Sequence, residues 1–229
     1  MKTGRHVFME MGIDPDNYLC LNYATTGVKP PIGVLQVSGR FGQDTSPFRY
    51  FIIPEGVIVN SDLNYPYTRI SRSEYDDSCI TQSDFCRDMV PQIREASPSI
   101  VLINNSWWNE KVSKDAANSG MSAFFAEVSR IPAFPVSEYE AARRGCNFTV
   151  FTDTFEMYFD MLNRIKMLAK QTPREHKVNL DEAFAARGGD MESLYEGPEE
   201  PESDKNVEKM VFIWENIINN QEENELWIA

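Results

Sequence analysis

The acidic run from Glu196 to Asp204 and the adjacent tryptophans Trp107 and Trp108 carry the side chains best suited to chemistry. Carboxylates can coordinate a hard cation or imitate a phosphate backbone, and indole rings can stack on nucleic-acid bases. Each also has an ordinary structural explanation, because a run of like charges is usually a solvated loop and tryptophan on a helix usually fills a core. We therefore expect a mobile acidic loop at 196–203, one buried tryptophan, and Asp204 as the cap of the helix that follows.

The histidines and cysteines give little support for a metal site. The chain has two histidines, His6 and His176, and its four cysteines lack the paired spacing of metal ligands. An isolated histidine is most often a surface residue. The even cysteine count is compatible with disulfides, but the sequence starts without an apolar signal segment, which favours free thiols and a cytoplasmic protein.

Size and charge restrict the fold and its partners. A chain of 229 residues with 42% hydrophobic residues can form one core of ordinary size, so we expect a single domain over 1–229. No apolar run is long enough to cross a bilayer, which predicts no membrane partner. The net charge of −13 argues against a broad basic face for nucleic acid, although local charge at a site matters more than the total.

The order of the apolar runs predicts a mixed sheet flanked by helices, that is, an α/β fold. Three β-like runs, Tyr18–Tyr23, Val34–Phe41 and Phe48–Ile53, follow one another across short turns and predict an antiparallel meander. A long loop over 54–69 then leads into a helix at Gln82–Ala96, which Pro91 interrupts. Ser99–Ile103 follows as a buried strand, and a polar junction at Asn104 to Ser106 starts the next helix.

The second half of the sequence shows more helical periodicity. Cys146–Phe151 is β-like, and Thr154–Lys170 has apolar residues at helical spacing. Shorter helices are predicted at Leu180–Arg187, before a glycine pair, and at Val207–Asn219. Helices and strands therefore alternate after the meander, as in sheets covered by helices.

The first strand carries a motif that resembles the DEDD superfamily of 3′–5′ exonucleases, which contains the proofreading epsilon subunit of bacterial replicases. The segment Leu21–Gly27 reads Leu-Asn-Tyr-Ala-Thr-Thr-Gly and is similar to the family's Leu-Asp-Phe-Glu-Thr-Thr-Gly. Asn22 and Ala24 stand at its two acidic positions. The resemblance covers most of the chain and implies the ribonuclease-H-like fold.

The later motifs of that family also have counterparts in this sequence, and in these too an acidic residue or the base is replaced. Asn104–Asn109 resembles the His-Asn-x-x-Phe-Asp motif, with Asn109 at the acidic position, and Leu180–Phe184 resembles a Leu-Asp-x-Leu segment. Asp204 falls where the resemblance places the last catalytic aspartate. The general base of the family is histidine or tyrosine, and Glu199 stands at the histidine position.

These substitutions imply an impaired active site. In the family, four carboxylates hold two divalent ions that activate water and stabilise the leaving oxygen. An asparagine offers only a neutral oxygen and Ala24 offers none, so Asp204 is the one ligand that the resemblance leaves and no cofactor is expected. The same motifs place Thr25, Thr26, Asn105 and Trp108 as binding residues of the cleft.

Three functional hypotheses follow from the sequence. The first is an exonuclease-like domain, catalytically impaired, that acts by binding single-stranded nucleic acid or a protein partner. The alternative is a metal-dependent 3′–5′ exonuclease on DNA or RNA, using Mg²⁺ or Mn²⁺ with atypical ligands or carrying introduced inactivating substitutions. A third is an acidic interaction protein with no affinity for nucleic acid. The departure of the base position together with the carboxylates favours natural divergence over deliberate inactivation.

Overall fold

The computed structural model describes residues 3–43, 45–65, 67–104, 106–116, 119–144, 178–196 and 199–220. The strands are β1 Tyr18–Thr25, β2 Val34–Phe41, β3 Phe48–Ile53, β4 Ile80–Thr81, β5 Ile100–Ile103 and β6 Ala133–Pro135. The helices are α1 Gly4–Glu10, α2 Arg72–Ser78, α3 Gln82–Ala96, α4 Ser106–Ala116, α5 Ser122–Val128, α6 Val136–Arg143, α7 Leu180–Ala186, α8 Met191–Tyr195 and α9 Glu202–Asn219.

The described strands form one mixed sheet in the order β4-β3-β2-β1-β5-β6. Strands β1, β2 and β3 pair antiparallel, whereas β5 pairs parallel with β1 and with β6. The predicted meander is confirmed, because short polar turns join neighbouring strands and leave only antiparallel pairing within reach. Strand β1 lies in the middle of this sheet, and all 8 of its residues are buried.

Helices pack on both faces of the sheet, as the sequence predicts. Alternate residues of β1 divide between two cores, with Tyr18 and Cys20 facing α1, α7 and α9 and with Leu19 and Leu21 facing α3, α4 and α5. Trp214 of α9 is fully buried and donates a hydrogen bond from Nε1 to the Pro15 carbonyl at 2.9 Å. The fold is therefore a three-layer α/β sandwich with β1 at its centre.

Two of the predicted helices differ in detail from expectation. Helix α3 runs without interruption through Pro91, and Thr81 caps it by accepting a hydrogen bond from the Asp84 amide. Helix α9 begins at Glu202, earlier than predicted, and its N-cap residue is Pro201. The expectation that Asp204 caps this helix is therefore wrong. The predicted acidic loop is also shorter, because Glu202 and Ser203 already belong to the helix.

Several short elements have no counterpart in the predictions. These are α1, α2, α5, α6, α8, β4 and β6, of which none exceeds 8 residues. Elements of one or two turns show little periodicity and depend on tertiary contacts for their stability. The predicted strand Cys146–Phe151 and the predicted helix Thr154–Lys170 lie outside the described residues.

Within the described ranges, no helix is both long and apolar enough to span a membrane. Cys20, Cys79 and Cys86 are free thiols, and Cys146 lies outside these ranges. Trp108 is partly buried and packs against the core formed by α3, α5 and the sheet.

Candidate functional site

A cleft opens where β1 ends, between the long loop 54–69 and the first turn of α9. Its cavity has a volume of about 480 Å³. The lining residues are Asn22, Tyr23, Ala24, Thr25, Gly27, Val28, Asn64, Tyr67, Thr68, Glu202, Ser203 and Asn206. The cleft thus combines neutral hydroxyl and amide groups with an exposed tyrosine, Tyr67, and an exposed valine, Val28.

Asn22 and Ala24 lie side by side on the face of β1 that α9 covers. They pair directly with Ser38 and Gln36 of β2, so all four side chains share one face of the sheet. The Asn22 carbonyl oxygen Oδ1 accepts hydrogen bonds from Ser203 Oγ at 3.0 Å and from Asn206 Nδ2 at 3.5 Å. The oxygen that stands at the family's first acidic position is therefore bonded to protein donors.

A buried lysine, Lys209, lies behind the amides of Asn22 and Asn206. The side chain of Lys209 is fully buried, and its ammonium contacts Asp181 Oδ1 at 2.6 Å, Tyr195 Oη at 2.8 Å, Glu202 Oε1 at 3.1 Å and Asn206 Oδ1 at 3.4 Å. Burial acts to lower the pKa of Lys209, but the hydrogen bonds to Asp181 and Tyr195 together with the charges of Glu202 and Asp181 leave this pKa raised. Lys209 is therefore a fixed cation next to the cleft.

The long loop forms the opposite wall and is anchored to the start of α9. The Thr68 carbonyl accepts a hydrogen bond from the Glu202 amide at 2.9 Å, which satisfies a first-turn donor of the helix. Arg69 stacks on the Tyr195 ring at 4.7 Å from its centroid, and its Nε lies 3.6 Å from Glu202 Oε2. Glu202 consequently faces both Arg69 and Lys209 and is neutralised from two sides.

Asp204 lies over the second and third strands and contacts a different set of residues. Its Oδ1 accepts hydrogen bonds from Gln36 Nε2 at 2.9 Å and from Ser38 Oγ, and its Oδ2 forms an ion pair with Arg49 Nε at 2.8 Å. Burial raises the pKa of Asp204, against the lowering effect of Ser38 and Arg49. The carboxylate is thus held by three donors and is absent from the described lining of the cleft.

The other predicted site residues are distributed around the cleft. Thr25 lines it, whereas Thr26 Oγ1 accepts a hydrogen bond from the Gly33 amide at 3.0 Å and holds the turn after β1. Asn109 is buried in α4, and Glu199 is exposed, with its Oε1 accepting a hydrogen bond from Tyr65 at 2.7 Å. Asn105 lies outside the described residues.

The residues at the family positions do not fit a pair of divalent ions. Two donors already occupy Asn22 Oδ1, Ala24 has no donor atom, and Arg49 neutralises Asp204. A hard dication needs several anionic oxygens directed at one point. In the parts of the chain that are described, no group of three acidic, histidine or cysteine side chains has the geometry of a metal site.

Sequence reasoning missed Ser203 and Asn206, which line the cleft, and Lys209, which lies behind them. They are spaced three residues apart and so follow one side of α9 toward the sheet. The signal available in the sequence was Lys209, a lysine among the apolar positions of an amphipathic helix. Glu202 and Asn206 lie within two turns before it. The helix was predicted at Val207–Asn219 with Asp204 as its cap, which left Ser203 in the preceding acidic loop.

No known protein family and no curated protein matches the sequence. Solved structures do resemble the fold. E. coli exonuclease I in complex with a 5cy-dT13 oligonucleotide has a TM-score of 0.56 at 12% identity, covering 92% of this chain and 42% of that one. The zinc-bound form of the E. coli exonuclease I complex with single-stranded DNA has a TM-score of 0.52 at 11% identity, with the same coverage.

A third structure, a 3′-exonuclease described by its 3′-end-specific recognition of the histone mRNA stem-loop, has a TM-score of 0.51 at 11% identity. The matched region covers 89% of this chain and 80% of that 3′-exonuclease. By contrast, the chain spans 42% of the length of E. coli exonuclease I. At these identities the similarity shows the fold alone, a ribonuclease-H-like fold that this chain shares with these exonucleases.

Proposed function

We propose that this chain is a catalytically impaired exonuclease-like domain that acts by binding a ligand in its cleft. The observation that carries the proposal is the state of Asn22, whose oxygen accepts hydrogen bonds from Ser203 and Asn206. An oxygen used in this way contributes little to a metal ion, and Ala24 beside it contributes nothing. Hydrolysis of a phosphodiester by two metal ions therefore lacks its ligands.

Single-stranded nucleic acid is the ligand that the fold favours. E. coli exonuclease I binds single-stranded DNA with this architecture, and the 3′-exonuclease recognises an RNA 3′ end. In this chain, Tyr67 is exposed on the rim of the cleft, where its ring can stack on a base. Asn22 lies on the floor of the cleft and supplies a neutral amide group for a sugar or phosphate oxygen.

A protein partner is the second candidate, and the charge of the molecule favours it. The net charge is −13, and the described residues that line the cleft include the acidic Glu202 but no lysine or arginine. Long-range attraction of a phosphate backbone is weak for such a surface. Binding of nucleic acid therefore has to come from local contacts.

Digestion of labelled single-stranded DNA and RNA in Mg²⁺ or Mn²⁺ tests the impairment. We expect no shortening beyond an EDTA control. A triple variant, Asn22→Asp with Ala24→Glu and Asn109→Asp, is assayed beside it, and trimming gained by that variant identifies the lost carboxylates as the cause. If the original chain trims 3′ ends and EDTA stops the reaction, the protein is a metal-dependent exonuclease and the proposal is wrong.

Binding is measured separately, by fluorescence anisotropy of 5′-labelled oligonucleotides in EDTA at low salt. We expect saturable binding that weakens as salt increases. The absence of binding to both DNA and RNA excludes nucleic acid and leaves the protein partner.

A further inference from the structure

Two amide side chains, those of Asn206 and Asn22, connect the buried Lys209 to the floor of the cleft. Lys209 Nζ lies 3.4 Å from Asn206 Oδ1, and Asn206 Nδ2 lies 3.5 Å from Asn22 Oδ1. Asn22 and Asn206 both line the cavity, whereas Lys209 lies behind them and is fully buried. The two contacts are long for hydrogen bonds, but they run in one direction, from the ammonium toward the cleft.

The ammonium decides how both amides are oriented. A lysine only donates hydrogen bonds, so Asn206 must turn its oxygen toward Lys209 and its amino group toward Asn22. Asn22 in turn must present its oxygen to Asn206, and the same oxygen accepts the bond from Ser203 at 3.0 Å. Because the oxygen of Asn22 is occupied, its amino group is the part of the side chain that remains to donate a hydrogen bond to a ligand.

Lys209 cannot easily change this arrangement, because other oxygens hold it in place. Asp181 Oδ1, Tyr195 Oη and Glu202 Oε1 lie between 2.6 and 3.1 Å from the ammonium. Removing a buried ammonium from two carboxylates is costly. The polarity of the chain Lys209–Asn206–Asn22 is therefore fixed by the core of the protein.

We propose that Lys209, acting through Asn206, makes Asn22 a hydrogen-bond donor, so that the cleft binds a phosphodiester oxygen of a single strand directly and without a metal ion. The inference rests on the proposed function, from which the nucleic-acid ligand is taken. At the family's first motif, an acceptor that would face a cation is thus replaced by a donor that faces an oxygen. Lys209 and Asn206 are positioning residues, and Asn22 is the contact residue.

Reversing the amide tests the proposal. Asn206→Asp keeps the size of the side chain and its bond to Lys209, but it leaves no donor toward Asn22 and favours rotation of that amide. Asn64→Asp is the matched control, since it adds the same charge to the same cavity and lies outside the chain of amides. Affinity for a labelled dT oligonucleotide and a labelled U oligonucleotide is measured in EDTA and in Mg²⁺.

We expect Asn206→Asp to weaken binding in EDTA by about tenfold, the effect of one well-placed hydrogen bond, and Mg²⁺ to restore part of the loss. Asn64→Asp is expected to weaken it by no more than about threefold from added charge alone, with no gain from Mg²⁺. Asn22→Ala, which removes the donor outright, is expected to weaken binding in EDTA to the same extent as Asn206→Asp. It keeps the test decisive if Asn206→Asp does not fold.

The outcomes separate this inference from the proposed function. If the unaltered chain binds neither oligonucleotide, the nucleic-acid assignment fails. If it binds only when Mg²⁺ is present, or if Asn206→Asp and Asn64→Asp lose affinity equally, binding occurs but the donor role of Asn22 is wrong. Binding in EDTA that falls selectively in Asn206→Asp and Asn22→Ala supports the inference.

Discussion

Ser203 Oγ donates a hydrogen bond to Asn22 Oδ1 at 3.0 Å, which joins the first turn of α9 to the middle strand of the sheet. Both residues are buried, so neither group can exchange the bond for one with bulk water. The contact fixes the N-terminal end of α9 over β1 and closes the floor of the cleft. A position that carries an acid in the exonuclease family is thereby part of the packing of this protein.

The first prediction concerns this contact. Asn22→Leu removes the acceptor and leaves the Ser203 hydroxyl buried without it, so we expect a loss of about 1–3 kcal/mol in the free energy of unfolding. Asn22→Asp keeps an acceptor for Ser203 and Asn206 and is expected to lose less. Urea denaturation at neutral pH measures both, and a larger loss for the aspartate variant would contradict this account of Asn22.

A second prediction concerns a buried ion pair that links α6 to the end of α7. Arg187 Nε lies 2.8 Å from Glu140 Oε1, and the side chains are 4% and 0% exposed. Arg187→Met leaves the carboxylate without its counter-charge, so we expect a loss of about 3–5 kcal/mol.

The double variant Glu140→Leu with Arg187→Met is expected to lose much less than the sum of the single variants, since it removes both buried charges. Arg94→Met is the control, because Arg94 is 64% exposed in its pair with Glu127 and such pairs contribute about 0–1 kcal/mol. Additive losses in the double variant, measured by denaturant unfolding, would show that Glu140 and Arg187 are not coupled.

The fold could be predicted largely because its main elements carry strong periodic patterns. Strands β1, β2 and β3 alternate or run apolar between clear turns, and α3 has an apolar face and a Thr81 cap. The one-turn and two-turn elements could not be predicted, since contacts with the sheet stabilise them rather than local sequence. Helix α9 was predicted too short because the proline at 201 and the charges after it imitate a loop.

Part of the lining of the candidate cleft could be located from the sequence. Motif resemblance located Asn22, Ala24 and Thr25, and the structure places all three in the cleft lining. It gave no indication of Lys209, because none of the matched motifs includes this position and a fully buried ammonium is rare unless it is paired. Similarly, Asp204 occupies the expected stretch of sequence, but the bond to Arg49 of β3 depends on how α9 crosses the sheet.

A third prediction tests the anchoring of α2 to the sheet. Tyr75 is buried and donates a hydrogen bond to the Ile52 carbonyl at 2.7 Å. Burial, followed by the nearby Cys79, raises the pKa of Tyr75 to about 12, so the hydroxyl keeps its proton at neutral pH. Tyr75→Phe is expected to cost about 1 kcal/mol, measured by denaturant unfolding. An unchanged unfolding midpoint would mean that this bond contributes nothing to stability.

The last prediction follows from the raised pKa of Asp204. Because burial raises this pKa in the folded state, protonation of Asp204 favours folding. Its contribution to stability is fully present below the pKa of an unfolded aspartate, roughly 3.9, and is lost as the pH rises through the folded value. Asp204→Asn cannot titrate there. The unfolding free energy of the original chain minus that of the variant should therefore decrease as the pH rises from about 4 to neutral.

Asp84 provides the opposite case and serves as the control. The hydrogen bond from Thr81 lowers the pKa of Asp84, so its contribution is present above the unfolded pKa and is lost as the pH falls through the folded value. The corresponding difference for Asp84→Asn should increase as the pH rises. Urea titrations between pH 3.5 and pH 7 measure both differences. A difference for Asp204 that rises with pH would mean that its ion pair with Arg49 outweighs burial, which would make it a stabilising carboxylate like Asp84.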